Sequence, residues 1–266
     1  MANALPQAPD DLPPAPKFWG PFRPLFGGHT LFEAATSCFL PTFVVFVWRF
    51  VFSCFLLTTL VYFAVTGVYQ FQFYSVWVHI GLAISFFALS MCSFVFLLQK
   101  EHRPESSRLA FASILLYQIF ATATLFLDVV FWALLHEYDE APSFAVVVQH
   151  AANLAMVVVD LLLALRIQFK LIYCVCFVLF TLTYLAFMWI RFAVTDSFVY
   201  DFTDYRQHAA AITVAYYIGT VAWAFAAAFV MFLISRLSRV PFVKVRSTFS
   251  KDGSPASHRN RYFAFV

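Results

Sequence analysis

The sequence predicts an all-α polytopic membrane protein, a six-transmembrane-helix bundle with polar N- and C-terminal arms. Of its 266 residues, 62% are hydrophobic and only 12% are charged, which is too little charge to cover a soluble domain. The apolar residues also fall into six runs that each supply the roughly 20 residues needed to cross a hydrocarbon core of about 30 Å. Because lipid offers the backbone no hydrogen-bond partners, these runs must be helical.

The six runs predict spanning helices joined by short polar connections. We place the helices at 39–66, 74–98, 109–135, 144–165, 171–193 and 209–235. Pro41 falls in the first turn of the first helix, where a missing backbone N–H costs little. Only seven glycines occur, which argues against a bundle built mainly on close GxxxG crossings. Short connections predict that consecutive helices are antiparallel neighbours.

Two polar arms flank the transmembrane domain, which we place at 39–235. Residues 1–38 form a proline-rich N-terminal arm that lacks the basic and apolar regions of a cleavable signal peptide. Residues 236–266 form a basic tail that ends in an aromatic segment, 262–266. We expect the helices to contact membrane lipids and the arms to dock on other membrane protein subunits.

Charge is distributed asymmetrically between the two sets of connections. The connections after the second and fourth helices and the C-terminal tail are basic, whereas those after the third and fifth helices are acidic. The positive-inside rule therefore places both termini on the cytosolic side or on an equivalent side such as the matrix, and it leaves the mitochondrial inner membrane and the endomembranes as alternatives. The net charge of +3 resides in loops and tails, so it does not indicate nucleic-acid binding.

Two charged residues lie within the helices at similar depth on the basic side. By helical rise, Arg49 is roughly 13 Å and Asp160 roughly 8 Å from that surface. An unpaired charge at such a depth costs several kcal/mol. The sequence therefore predicts a buried ion pair between the first and fourth helices.

A second polar layer lies near the acidic side. His79, Asp128 and His150 are each roughly 8–10 Å below that surface by helical rise, and Ser75 is close to it. Serine can act as a nucleophile, histidine as a general base, and aspartate as the group that orients the histidine. Polar side chains also commonly join membrane helices without doing chemistry, so both interpretations stay open. The cluster also includes Arg191, Tyr200 and Asp204.

No cofactor or metal is predicted. Cys174 and Cys176 lack the spacing of a zinc site and a second ligand pair. His79 and His150 lie on different helices, and an alternative is that they ligate a haem iron.

Four short segments carry a resemblance to a known family. They are Trp48-Arg49 in the first helix, Phe73–Trp77 in the second, His150 with Asn153 and Asp160 in the fourth, and Tyr184, Val199-Tyr200 and Asp204 around the last acidic loop. Through these segments, within residues 45–220, the chain resembles the rolling stone family of multi-pass membrane proteins. More distantly it is similar to the androgen-induced and androgen-dependent family of intramembrane threonine hydrolases.

The resemblance implies a chemistry as well as a fold. The hydrolases cleave lipid esters of hydroxy fatty acids with a threonine nucleophile and an intramembrane histidine. Matched by motif, Ser75 stands at the threonine position and His150 at the histidine position, and Asn153 joins the supporting polar cluster. Asp201 stands where the family loop carries a proline.

Two functions follow from these observations as expectations. The first is a non-enzymatic membrane subunit, docked through its arms in a larger membrane protein assembly such as an energy-converting complex. The alternative is an intramembrane serine hydrolase of lipid or fatty-acid esters that uses Ser75 and His150.

Overall fold

A computed structural model describes residues 29–37, 40–67, 70–99, 107–135, 141–164, 167 and 169–237. Within these ranges the structure is all-α and contains no strand. Residues 1–28 and 238–266, which make up most of the two predicted arms, lie outside the described residues.

The described residues contain six helices that are long and apolar enough to cross a membrane, so the predicted fold class is confirmed. A short helix, α1 (Leu31–Ala35), precedes them. The spanning helices are α2 (Thr42–Val65), α3 (Tyr74–Leu98), α4 (Arg108–Leu135), α5 (Phe144–Leu163), α6 (Leu171–Thr195) and α7 (Ala210–Arg236).

Helix α4 lies at the centre of the bundle. It packs against α3, α5, α6 and α7, while α2 packs mainly against α3. The most apolar windows of α3 and α4 are each 56% buried, against 22% for α6 and 28% for α2 and α7. The bundle therefore has a two-helix centre, and three spanning helices keep broad faces that the described residues do not cover.

Residues 29–37 fold back into the bundle instead of forming part of a separate arm. The Thr30 hydroxyl accepts a hydrogen bond from the Glu33 N–H at 3.1 Å and so caps the start of α1. Ala34 and Ala35 are fully buried, and the Ser93 hydroxyl of α3 donates to the Ala35 carbonyl at 2.9 Å. Residues 29–37 of the arm predicted over 1–38 thus belong to the helical body.

The two ends of the bundle carry different connections. At the basic end, the Ser107 N–H donates to the His29 carbonyl at 3.1 Å, and the Ser37 hydroxyl donates to the Leu163 carbonyl. These contacts place the segment before α2 beside the connections that follow α3 and α5. At the other end, which we call the acidic end, the Tyr200 hydroxyl reaches the start of α3.

Two of the spanning helices contain π-helical turns close to the acidic end. Helix α4 finishes in a π turn at Phe131–Leu135, and α5 contains one at Val147–Ala152. A π turn carries an extra residue per turn, so it redirects the side chains that follow, and such turns are frequent at functional sites.

Candidate functional site

One face of α5 supplies three buried polar residues to the interior of the bundle. His150, Asn153 and Asp160 are separated by three and seven residues, which is the spacing of one helical face. Their exposed fractions are 4%, 0% and 1%. Each residue contacts a different neighbouring helix, so this face links α5 to α4, α3 and α2 in turn.

The predicted ion pair between Arg49 and Asp160 is present. The Arg49 Nε donates to Asp160 Oδ1 at 2.9 Å, and Nη2 lies 3.4 Å from Oδ2. The remaining guanidinium nitrogen, Nη1, donates to the Ala34 carbonyl at 2.6 Å. The arginine is fully buried, and its charge joins α2, α5 and the C-terminus of α1, where the helix dipole is negative.

His79 and Asn153 form a hydrogen-bonded network between α3, α5 and α2. The His79 Nε2 lies 3.0 Å from the Leu56 carbonyl and 3.1 Å from the Thr59 hydroxyl. Because a carbonyl only accepts, Nε2 carries the proton and Nδ1 accepts from the Asn153 amide at 3.3 Å. Asn153 also donates to the Gln149 carbonyl at 2.9 Å. These contacts hold α2, α3 and α5 together. For His79 and Asn153 they favour the interpretation in which polar side chains join helices without doing chemistry.

Asp128, three residues before the π turn of α4, and His150, within the π turn of α5, form an acid–base pair. The His150 Nδ1 lies 3.4 Å from Asp128 Oδ1. Among the described residues, neither carboxylate oxygen nor this nitrogen has a hydrogen-bond partner, although both side chains are buried. The ring of Phe131 stacks on the imidazole at 3.7 Å. Buried polar atoms without partners are rare, so this pair is the least structurally explained feature of the interior.

Ser75 is buried in the first turn of α3, with an exposed fraction of 8%. Within the described part of the chain, no hydrogen bond joins Ser75 to His150, whose Nδ1 faces Asp128 instead. The contact between nucleophile and base that the hydrolase alternative needs is therefore not formed in this conformation. The catalytic roles of Ser75 and His150 stay predictions.

Arg191 and Asp204 do not join the intramembrane cluster but shape the loop between α6 and α7. The Arg191 Nη1 donates to the Ser197 carbonyl at 2.8 Å. Asp204 accepts from the Arg206 Nε and Nη2, both at 3.0 Å. These charge-assisted hydrogen bonds lower the pKa of Asp204 from 3.8 to about 2. Both residues hold the loop at the acidic end.

Tyr200 belongs to a separate cluster of hydroxyl groups. Its hydroxyl accepts from the Tyr74 N–H at 3.1 Å and lies 3.5 Å from the Tyr184 hydroxyl. The Tyr184 hydroxyl donates to the Gln72 carbonyl at 2.6 Å, which ties α6 to the start of α3. Burial raises the pKa of Tyr200, so the group stays a neutral phenol.

A cavity of about 310 Å³ lies beside this hydroxyl cluster, and sequence reasoning missed it. It is bounded by α4, α6, α7 and the loop between α6 and α7. Leu127 lines it, whereas the next residue, Asp128, contacts α5. The hydroxyl-bearing residues in its wall are Tyr74, Thr181, Tyr184, Tyr200, Thr203, Tyr217 and Thr220.

The described residues contain no group of three His, Cys, Asp or Glu side chains placed to hold a metal ion. His79 and His150 have different partners, in the α2–α3 contact and the α4–α5 contact respectively. Comparison with protein-family models, with curated proteins and with solved structures finds no match to this chain. The resemblance to the rolling stone family therefore stays a prediction that depends on the short segments quoted above.

Proposed function

We propose that this chain is a non-enzymatic multi-pass membrane subunit that docks in a larger membrane protein assembly through its terminal arms. One observation carries the proposal: most of the intramembrane polar residues make structural contacts. Arg49 and Asp160 join α1, α2 and α5. His79 and Asn153 join α2, α3 and α5. Ser75 makes no hydrogen bond with a base among the described residues.

Residues 1–28 and 238–266, which lie outside the described residues, have sequences that suit docking on a partner. Residues 1–28 contain seven of the twelve prolines, together with four aromatic residues, and such segments favour extended recognition conformations. Residues 238–266 are basic, and three of their last five residues are aromatic. Aromatic side chains on extended arms are typical anchors at protein interfaces.

The uncovered helix faces support a place among lipids and other subunits. Helices α2, α6 and α7 expose large apolar side chains along their length, such as Phe43, Leu179 and Phe229. In a bilayer, acyl chains or neighbouring transmembrane helices cover such faces equally well. These faces therefore fit a subunit that touches both lipid and protein.

The arms can be tested by deletion because the first described residues, 29–37, already contact the helical body. A chain without residues 2–27 and 239–266 keeps the 29–37 segment that contacts Arg49 and Ser93. We expect the full chain, extracted in mild detergent, to migrate with other polypeptides on native electrophoresis, and the shortened chain to migrate alone with an unchanged melting temperature.

A matched control separates the aromatic end from the length of the tail. It replaces residues 239–261 with a Gly/Ser spacer and keeps 262–266. If the aromatic end docks, this chain still migrates with some of the other polypeptides on native electrophoresis. If the doubly shortened chain still migrates with the same polypeptides, the arms are not the docking elements.

A second function is favoured by the Asp128–His150 pair, which lies close to two π turns and whose buried polar atoms have no hydrogen-bond partner among the described residues. In this alternative the chain is an intramembrane hydrolase of lipid or fatty-acid esters. The Ser75 hydroxyl attacks the ester carbonyl while His150 takes its proton and passes it to the leaving alcohol. Water then hydrolyses the acyl-serine and restores both groups. Asp128 orients the imidazole. Catalytic contacts are often long before substrate binds, so the open geometry is compatible with this role.

A fluorophosphonate probe distinguishes the two functions. We compare the native chain with Ser75→Ala and His150→Gln, and use Ser85→Ala as the control because the Ser85 hydroxyl, in the same helix, donates to the Gly81 carbonyl at 2.7 Å. If the native chain and the Ser85→Ala control are labelled while Ser75→Ala and His150→Gln are not, the hydrolase is supported. A folded native chain that stays unlabelled supports the non-enzymatic subunit.

A further inference from the structure

The wall of the cavity between α4, α6 and α7 is almost entirely apolar. The hydroxyl groups at its surface end are engaged within the protein: that of Tyr200 accepts from the Tyr74 N–H, and that of Thr203 donates to the Tyr200 carbonyl at 2.6 Å. Tyr217 donates to the Thr203 carbonyl at 3.4 Å. A polar group buried here would exchange its bonds to water for groups that already have partners, which is costly. The part of a ligand that enters this cavity is therefore hydrocarbon.

The cavity is elongated along the helix axes. Its lining residues lie within 126–135 on α4, 178–188 on α6 and 217–225 on α7, and each stretch is about 12–15 Å long by helical rise. Dividing the volume of about 310 Å³ by about 15 Å gives a mean cross-section of about 21 Å². A helix is about 10 Å across and does not fit. A single row of methylene groups, with a contact diameter of about 4 Å, does fit.

The cavity opens sideways between α6 and α7. Leu182 of α6 and Val221 and Phe225 of α7 line it and are also exposed on the outer surface of the bundle. These residues lie well inside their spanning helices, Leu171–Thr195 and Ala210–Arg236, so the opening faces the hydrocarbon core of the bilayer. The long axis of the cavity follows these helices and is therefore roughly parallel to the surrounding acyl chains.

We propose that this cavity holds one acyl chain of a bilayer phospholipid, whose headgroup and second chain stay outside the protein. The chain enters beside Leu182 and Val221 and packs against Leu127 and Ala224. The apolar wall selects hydrocarbon, and the narrow cross-section selects a single chain over the wider fused rings of a sterol. Because the headgroup makes no contact in the cavity, phospholipids with different headgroups bind alike. Neither Ser75 nor His150 lines the cavity, so this site goes beyond the proposed function and does not depend on it.

The test uses the full chain in mild detergent and phospholipids that carry a diazirine and an alkyne on one acyl chain. One probe has a phosphocholine headgroup, another has a phosphoglycerol headgroup on the same chains, and a photoreactive cholesterol is the third. We expect both phospholipids to label the cavity peptides of α6 and α7 at mole fractions within about twofold of each other. The exposed α2 face, which includes Phe43 and Val51, reports ordinary lipid contact and should need a higher mole fraction.

Two variants separate the cavity from the outer surface of α7. Thr220→Phe places a ring in the cavity, whereas Ala222→Phe adds the same ring two residues away, at an exposed position outside the lining. If the ring displaces about two methylene groups of the bound chain, half-maximal labelling of the cavity peptides shifts about tenfold for Thr220→Phe. It stays unchanged for Ala222→Phe, and labelling of α2 stays unchanged in both. If Thr220→Phe does not fold, Leu182→Phe makes the same comparison from α6.

Three results would overturn the proposal. The first is labelling of the cavity peptides that needs as high a mole fraction as labelling of α2, or that is equal in the native chain and a folded cavity-filling variant. The second is a preference of about tenfold or more for one headgroup, which would show that the headgroup is bound as well. The third is labelling of the cavity peptides by cholesterol at a mole fraction equal to or below that of the phospholipids, which would reject a single chain as the occupant.

Discussion

Replacing Asp160 with Asn removes the counter-charge of a fully buried guanidinium. Arg49 has an exposed fraction of 0%, and two of its nitrogens lie 2.9 and 3.4 Å from the carboxylate. Removing one partner of a buried ion pair costs about 3–5 kcal/mol in soluble proteins. The amide oxygen of Asn still accepts one bond, and polar groups of an unfolded chain in a micelle also find partners. We therefore expect a loss of about 2–3 kcal/mol in the free energy of unfolding.

A double-mutant cycle measures the pair itself. Arg49→Gln should cost a similar amount, because it leaves the Asp160 carboxylate buried and frees the Ala34 carbonyl. In the double variant the two amides can bond to each other, so we expect a coupling energy of about 1–2 kcal/mol. The assay is unfolding by sodium dodecyl sulfate in mixed micelles, followed by circular dichroism.

The control for this cycle is Arg236→Gln, which removes an exposed arginine whose guanidinium lies over the Phe232 ring at 5.0 Å, and it should change stability by no more than about 1 kcal/mol. Losses of the Arg49 and Asp160 variants that add within ~0.5 kcal/mol would refute the coupling and with it the role of the pair in joining α2 to α5.

Three further predictions follow from the packing, the loop and the topology. Gly81→Ala directs a methyl group into the ring of Phe120 and should destabilise by about 1–3 kcal/mol, measured by the same unfolding assay. The pKa of Asp204 is held near 2 by Arg206, so the stability that Asp204 contributes is present above pH 3.8 and is lost as pH falls toward 2. The melting-temperature difference between the native chain and Asp204→Asn should shrink over that interval. Tags at residues 5 and 262 should be digested together when protease reaches one face of sealed vesicles.

Each of these predictions has its own control or contrary outcome. Gly219→Ala is the matched control for Gly81→Ala, because an added methyl group meets open space there and should be neutral or stabilising by up to about 1 kcal/mol. Equal effects at the two glycines would contradict the steric argument. A difference between native chain and Asp204→Asn that is constant down to pH 2 would contradict the pairing with Arg206. Digestion of one tag with protection of the other would contradict an even number of spans.

The spanning helices are predictable because an apolar run in lipid must satisfy its backbone hydrogen bonds within itself, and it is therefore helical. The predicted range 74–98 coincides with α3, and the range 39–66 differs from α2 (Thr42–Val65) by three residues or fewer. The packing of residues 29–37 into the bundle was not predictable, since Ala34 and Ala35 do not belong to an apolar run long enough to indicate burial. Their burial depends on a space between α3 and α4 that only the assembled bundle creates.

The candidate site was predictable only where charge demanded a partner. Arg49 and Asp160 could be paired from depth alone because an isolated charge in lipid is so costly. His79 and His150 have similar depths, and depth does not reveal which helix each ring faces. The π turns at 131–135 and 147–152 change that direction locally, and they have no simple sequence signal. The cavity depends on the spacing of α6 and α7, which periodicity does not report.

The most direct test of the proposed function is the mass of the native particle. The full chain is purified through an internal tag in mild detergent and measured by native mass spectrometry, with detergent removed in the gas phase. If the chain is a docked subunit, we expect particles that contain this 30.4 kDa chain together with other polypeptides in fixed stoichiometry. Particles that contain only the 30.4 kDa chain, in a preparation that keeps other membrane assemblies of the same source intact, would contradict the account.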